Sequence, residues 1–307
     1  MPAVIMHHLF GEDALARMPE GLVNGQEETL AFLLANQGPD PFFLRFSTWP
    51  RVADACHCLA KAMHDRHVVK ALFSARDAAA QLPEEDAGVG RAFTLGMVAH
   101  YVLDSRTHPF VYQQQDGIVE ADPTLADCRS EIHAIIESEI DAWMLYNLRG
   151  QTVLDAPVPA NLAHTDRVVR VGGALFSQVA QEVFDMEVGA EEYAGAVSDY
   201  ELALAIINPP TTLSKSAVTA VEHLVRGKSY LRSMACPVQV DDDCPAANLT
   251  RRPWVNSATG KITTESVPDL YYQALEDLGT FFDAYTSGDF LTFEELTGHV
   301  NYNGVVR

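Results

Sequence analysis

Apolar residues recur along this chain at spacings of three and four, while the period-two alternation of half-buried strands is scarce, so the pattern predicts a mainly α protein of eight or nine helices. The first is expected over 12–18 and the second over 26–37, where Gly38-Pro39-Asp40-Pro41 turns the chain into a loop. One long helix is expected over 53–81, closed by Pro83 and Gly88. Another is expected over 90–107, ended by Pro109 because proline lacks the N–H that a helix interior uses. Further helices follow at 125–149, 165–184, 191–207, 211–234 and 269–285, with Pro209-Pro210 separating two of them. Residues 235–268 are polar, contain Asp241-Asp242-Asp243 and show little periodicity, the mark of a long irregular segment that serves as a lid or a partner surface or stays mobile. No internal repeat and no shift in composition divides the chain, so the expected organisation is one all-α, multi-helix domain over residues 1–307.

Composition narrows the partners. Acidic residues number 42 against 21 lysines and arginines, and the formal charge of −21 repels polyanions and anionic lipid surfaces, which disfavours nucleic acid. No uninterrupted apolar run approaches the roughly 18 to 20 residues of a membrane span, and no basic-then-apolar stretch opens the sequence. Integral membrane association is therefore not expected, and the cytoplasm is. The five cysteines, Cys56, Cys58, Cys128, Cys236 and Cys244, are odd in number and lack zinc-finger spacing, which suits reduced thiols. Cys56-His57-Cys58 makes a poor chelate because neighbours on a helix point about 100° apart, so core packing is its expected role.

The chemistry sits on two helix faces. His100, Asp104 and His108 in GMVAHYVLDSRTHPFV are spaced by four, so each lies about 40° around the helix from the last and all three face one point. Val98, Val102 and Leu103 fall between them, and a buried charge is costly unless it is paired or bound to metal. His133 and Glu137 in EIHAIIESEID form a second such face among Ile132, Ile135, Ile136 and Ile140. Either motif alone also fits an ordinary surface pair. Together with His7, His64 and the loop carboxylate Asp40 they supply more ligands than one metal needs, and imidazole plus carboxylate suits zinc. The aromatic group Phe42, Phe43, Phe46 and Trp49, just after Asp40, is expected to pack in the core, with a substrate wall as the alternative. His57, His164, His223 and His299 match none of these motifs.

His7 in HHLFGEDAL, Asp40 in GPDPFF, His64 in AMHDRH, then HYVLDSRTHPF and HAIIESEID, follow the order seen in zinc-dependent phospholipases C, and the chain resembles a bacterial member of that family. The resemblance covers roughly the first half, and residues 251–275 are similar to a segment of shorter bacterial relatives. It implies a helical bundle, shared more distantly with fungal single-strand nucleases, that holds two or three zinc ions between helices. By the same resemblance Asp40, His64, His100 and Asp104 surround one metal, His108, His133 and Glu137 hold a second, and His7 with Asp104 binds a third. The secreted enzymes complete that third site with an N-terminal tryptophan, which this sequence lacks, and His108 stands closer to Asp104 than its counterpart does. His8 and His67 rank as second choices to their neighbours.

The expected reaction is hydrolysis of a small phosphoester or phospholipid. A zinc-bound water with its pKa lowered to about 7 supplies the nucleophile. Asp40, by resemblance and as a loop carboxylate on the open side, orients or deprotonates it, with Glu137 as second candidate. Two other readings remain open: a non-catalytic protein stabilised by metal, and a nuclease or nucleotidase on the same scaffold.

Overall fold

In a computed structural model of the protein, residues 3–208, 233–240 and 242–307 are described. Ten α-helices lie among them: α1 (Val4–Leu15), α2 (Gly25–Ala35), α3 (Pro50–Asp65), α4 (Val68–Ala79), α5 (Glu84–Ala121), α6 (Arg129–Arg149), α7 (Asp166–Phe184), α8 (Glu191–Ile207), α9 (Val267–Ser287) and α10 (Phe290–Thr297). The only strands among the described residues are β1 (Trp254–Val255) and β2 (Ile262–Thr263), an antiparallel pair, so the fold is an all-α multi-helix bundle. No helix among the described residues is long and apolar enough to cross a membrane.

The 38-residue α5 is the axis of the bundle, with α2 and α9 flanking it and α1, α4, α6 and α7 completing its surround. It starts behind Pro83 with Glu84, Glu85 and Asp86 in the first turn, where carboxylates complement the exposed N–H groups. Contrary to expectation it does not stop at Pro109, which lies inside the helix. The proline forfeits one N–H, but Phe110 and Val111 beyond it are buried, and that burial carries the helix onward.

Other expected boundaries move as well. α1 spans Val4–Leu15 rather than 12–18, because Val4, Ile5, Met6, Leu9 and Phe10 are buried on all sides and leave no amphipathic stripe to read. The helix expected over 53–81 is two helices, parted where Arg66 is extended and His67 takes a left-handed backbone conformation with φ 58°. The expected helix over 211–234 falls almost wholly outside the described residues. In 235–268 the irregular stretch is interrupted by a 3-10 turn, Pro245–Ala247, and by the β1–β2 hairpin. The hairpin is fastened by Trp254, which is buried edge-on to Phe110 and donates its Nε1–H to the Glu265 carbonyl at 2.9 Å. α9 begins two residues earlier than expected, at a capping box between Ser266 and Asp269.

Candidate metal centre

The middle of α5 presents His100, Asp104 and His108 into the interior, with exposures of 0, 3 and 4%. Around them the fold brings His7 from α1, Asp40 from the turn after α2, His64 from the last turn of α3, and His133 and Glu137 from α6, all buried. All eight residues singled out in the sequence thus converge. Asp40 is delivered by a sharp turn: Gly38 has φ 52°, and a Cβ there would run into the His100 ring. The 3-10 helix Asp40–Leu44 follows, with Pro41 setting its first turn.

Three triads have one ligand atom each within 4.8 Å of the others: His7, His100 and Asp104; Asp40, His64 and His100; and His108, His133 and Glu137. Asp104 is the hub. Its Oδ1 lies 3.0 Å from His7 Nε2, and its Oδ2 lies 3.4 Å from His100 Nε2, 3.6 Å from His108 Nδ1 and 3.7 Å from His64 Nε2. Glu137 Oε1 lies 3.1 Å from His133 Nε2 and 3.4 Å from His108 Nε2.

The proton positions are the informative part. A backbone carbonyl only accepts, so His64 donates Nδ1–H to Ala60 O at 2.8 Å, His100 to Asn36 O at 2.9 Å and His108 to Tyr302 O at 2.6 Å. With Nδ1–H committed, a neutral ring turns its Nε2 lone pair outward, and all three Nε2 atoms face carboxylate oxygens, Asp40 Oδ1 lying 3.1 Å from His64 Nε2. Lone pair against lone pair is repulsive unless a proton or a cation lies between. His64 Nε2, His100 Nε2 and Asp40 Oδ1 are buried and make no hydrogen bond despite their proximity, as atoms aimed at a common third point would. Nδ1 tied to a carbonyl with Nε2 free is also the usual outer shell of a metal-binding histidine.

Electrostatics agree with the geometry. Burial pushes Asp40 upward, yet neighbouring positive charge, His64 and His100 included, holds it at about 2. Asp104 and Glu137 are likewise lowered against burial, Asp104 by His108, His100 and His7, and Glu137 by His133 and His108. Burial drives His100 down to about 3, whereas in His108 the attraction of Asp104 and Glu137 overcomes burial and raises it to about 9. The site therefore keeps three ionised carboxylates in a dry interior, an arrangement that a divalent cation relieves.

The remaining described histidines lie outside the cluster. His8 pairs with Glu12, His67 is exposed at the α3–α4 break, His57 meets the Arg45 carbonyl, His164 meets the Leu162 carbonyl and His299 is exposed; His223 lies outside the described residues. Of the aromatic group, Phe42 packs in the core against Phe176 and Tyr193 and Phe43 lies against His64, but Phe46 and Trp49 point outward, Trp49 at 81% exposure.

Sequence reasoning missed several supporting groups. Gln115, whose side-chain amide meets His133 Nδ1 at 3.2 Å, stands seven residues after His108 on the same face of α5, a legible signal. So does Asp141, one turn beyond Glu137, whose two oxygens accept the N–H groups of Ile5 and Met6 at 3.0 and 2.8 Å and so fix the start of α1 beneath His7. The carbonyls of Asn36, Ala60 and Tyr302 carry no sequence signal.

No family model, no curated protein and no solved structure matches the chain. The functional reading rests on the site itself.

Proposed function

We propose that the protein is a zinc-dependent hydrolase of phosphate esters resembling the phospholipases C. The observation that supports this reading most is the set of three histidines whose Nδ1–H is fixed by carbonyls while Nε2 faces an ionised carboxylate. Mixed imidazole and carboxylate donors in two groups fit zinc and fit a site for two or three ions. Asp40, His64, His100 and Asp104 would hold one ion, and His108, His133 and Glu137 a second. His7 and Asp104, the residues suggested for a third, are 3.0 Å apart in a direct hydrogen bond, so a metal would have to displace it. Zinc there would supply a nucleophilic hydroxide near neutral pH and offset phosphate charge.

The chain's own groups then have defined tasks. Asp40 stays ionised at neutral pH and is able to accept the proton of the attacking water or orient it. Glu137, equally ionised, is the second candidate and also holds His108 and His133 in place. With a formal charge of −21, the molecule attracts an anionic substrate only through a local cationic centre, which favours small phosphoesters or zwitterionic phospholipids over nucleic acid. The cytoplasm is the compartment we propose, since Cys58 carries an exposed thiol.

A second reading, metal bound for stability alone, draws on one observation: none of the eight residues exceeds 7% exposure, as in a saturated structural site. Elemental analysis of the purified protein, paired with hydrolysis of an aryl phosphodiester by wild type and Asp104→Asn, separates the readings. The catalytic reading expects at least two zinc ions per chain, and expects Asp104→Asn to weaken zinc by more than the roughly 10–100-fold that outer-shell changes cost, with activity lost. Stoichiometric zinc without turnover favours the structural reading, and a metal-free chain overturns both.

A further inference from the structure

The segment after α10 reaches back across the molecule to the metal centre, and no ligand motif includes it. Tyr302 is buried to 1% exposure, and its carbonyl takes the Nδ1–H of His108 at 2.6 Å across 194 residues of sequence. Its ring lies 5.2 Å from the His64 ring and 5.5 Å from the His100 ring. One residue thus touches histidines from both principal groups of the site.

The segment is pinned on both sides of Tyr302. Tyr101, beside His100 on α5, donates to the Val300 carbonyl at 2.8 Å. Asn301 donates to the backbone of Asp65, next to His64, at 3.0 Å and accepts from Val305 N–H at 2.9 Å. Tyr112, one turn after His108, donates to Asn303 Oδ1 at 3.0 Å. Ser257 donates to the Gly304 carbonyl at 2.9 Å. Gly304 has φ 71° and sits so close to Pro109 that a Cβ would collide with the proline ring. The proline inside α5 is therefore also the seat of this segment, directly beside a candidate ligand.

We propose that residues 301–304 are a positioning element of the metal centre, with Tyr302 fixing the tautomer of His108 and walling His64 and His100. The inference rests on the metal-site reading for its consequence, zinc retention, but its geometric content stands apart from it. A ligand histidine whose outer partner is removed rotates and presents either nitrogen, and such losses typically weaken metal by about 10–100-fold. Tyr302 is a positioning residue here; nothing places it on a substrate.

Gly304→Ala is the direct test, because the added methyl pushes the segment off Pro109 without touching a ligand. Two quantities are read against wild type: zinc affinity by competition with a chromophoric chelator, and the tautomer of His108 by ring-nitrogen NMR on the zinc-free protein above about pH 9, where this ring is neutral. The expected result is one zinc weakened by about 10–100-fold at unchanged helical content, together with loss of the fixed Nδ1–H state of His108. Should Gly304→Ala not fold, Asn303→Ala loosens the same segment without a collision, and is expected to shift both readouts in the same direction. Unchanged affinity and an unchanged tautomer in a folded variant overturn the proposal. If wild type binds no zinc, the functional reading falls, while the NMR readout still decides whether the segment sets His108.

Discussion

At the scale of single residues, the molecule keeps its buried charges in small closed networks. Arg45 shows this away from the candidate metal centre: it is buried, its Nε donates to Glu192 at 2.8 Å and its Nη1 to Asp199 at 2.6 Å. Asp199 also accepts the backbone N–H groups of Phe46 and Ser47, each at 2.9 Å, and these donors with Arg45 lower its pKa against the effect of burial. A carboxylate lowered on folding contributes stability above its unfolded pKa of about 3.9, and that contribution disappears as pH falls through the folded value. Asp199→Asn is accordingly expected to cost about 1–3 kcal/mol at pH 7, and the gap from wild type to narrow as the pH falls below the unfolded value of about 3.9, as read from urea unfolding across that range. The residues of the candidate metal centre were legible in the sequence for a related reason: imidazoles and carboxylates four apart on one helix, interleaved with apolar residues, announce buried charge that needs a partner. What could not be read was the outer shell, because a backbone carbonyl such as that of Tyr302 belongs to no residue type and meets His108 only through the tertiary fold.

At the scale of elements, the helices expected from periodicity are present where one face is apolar, as in α7 and α9, and shift where burial is complete or local signals compete. α1 was misplaced because residues 4–11 are buried apart from the half-buried His8 and its polar residues gather at the far end, and α5 outran Pro109 because packing on both sides outweighed one lost hydrogen bond. The break between α3 and α4 was hidden because no glycine or proline marks Asp65-Arg66-His67, and His67 itself takes the left-handed conformation. α1 offers an element-scale prediction. It has no side-chain cap of its own, and Asp141 on α6 satisfies two N–H groups of its first turn. In Asp141→Asn an amide NH2 faces one of those donors, so the variant is expected to lose about 1–3 kcal/mol in denaturant unfolding, with faster amide exchange concentrated at the start of α1. Uniform exchange along α1 and α6 would count against this capping role.

At the scale of the whole molecule, one contiguous set of buried apolar side chains runs from Ala3 to Tyr302, and the candidate metal centre lies within it. Candidate ligands come from five elements, so a bound ion cross-links most of the bundle. Zinc that binds only the folded state stabilises it by about 2.7 kcal/mol per site when free zinc is a hundred times its dissociation constant. Removing metal with a chelator is therefore expected to lower the calorimetric melting temperature by several degrees, and restoring zinc to recover it. A melting temperature indifferent to chelation would mean that the carboxylates are balanced by protons alone.

The span between His108 and the carbonyl that holds it also sets a clock on synthesis. The two are 194 residues apart, and at 5–20 residues per second a ribosome needs roughly 10–40 s to add the second after the first. Throughout that interval His108 has been made and the carbonyl that holds it has not. The nascent chain must spend that time either held open or closed around a looser, immature cluster. Assembly of this centre is thus a late event in the life of each molecule, whatever order the helices dock in.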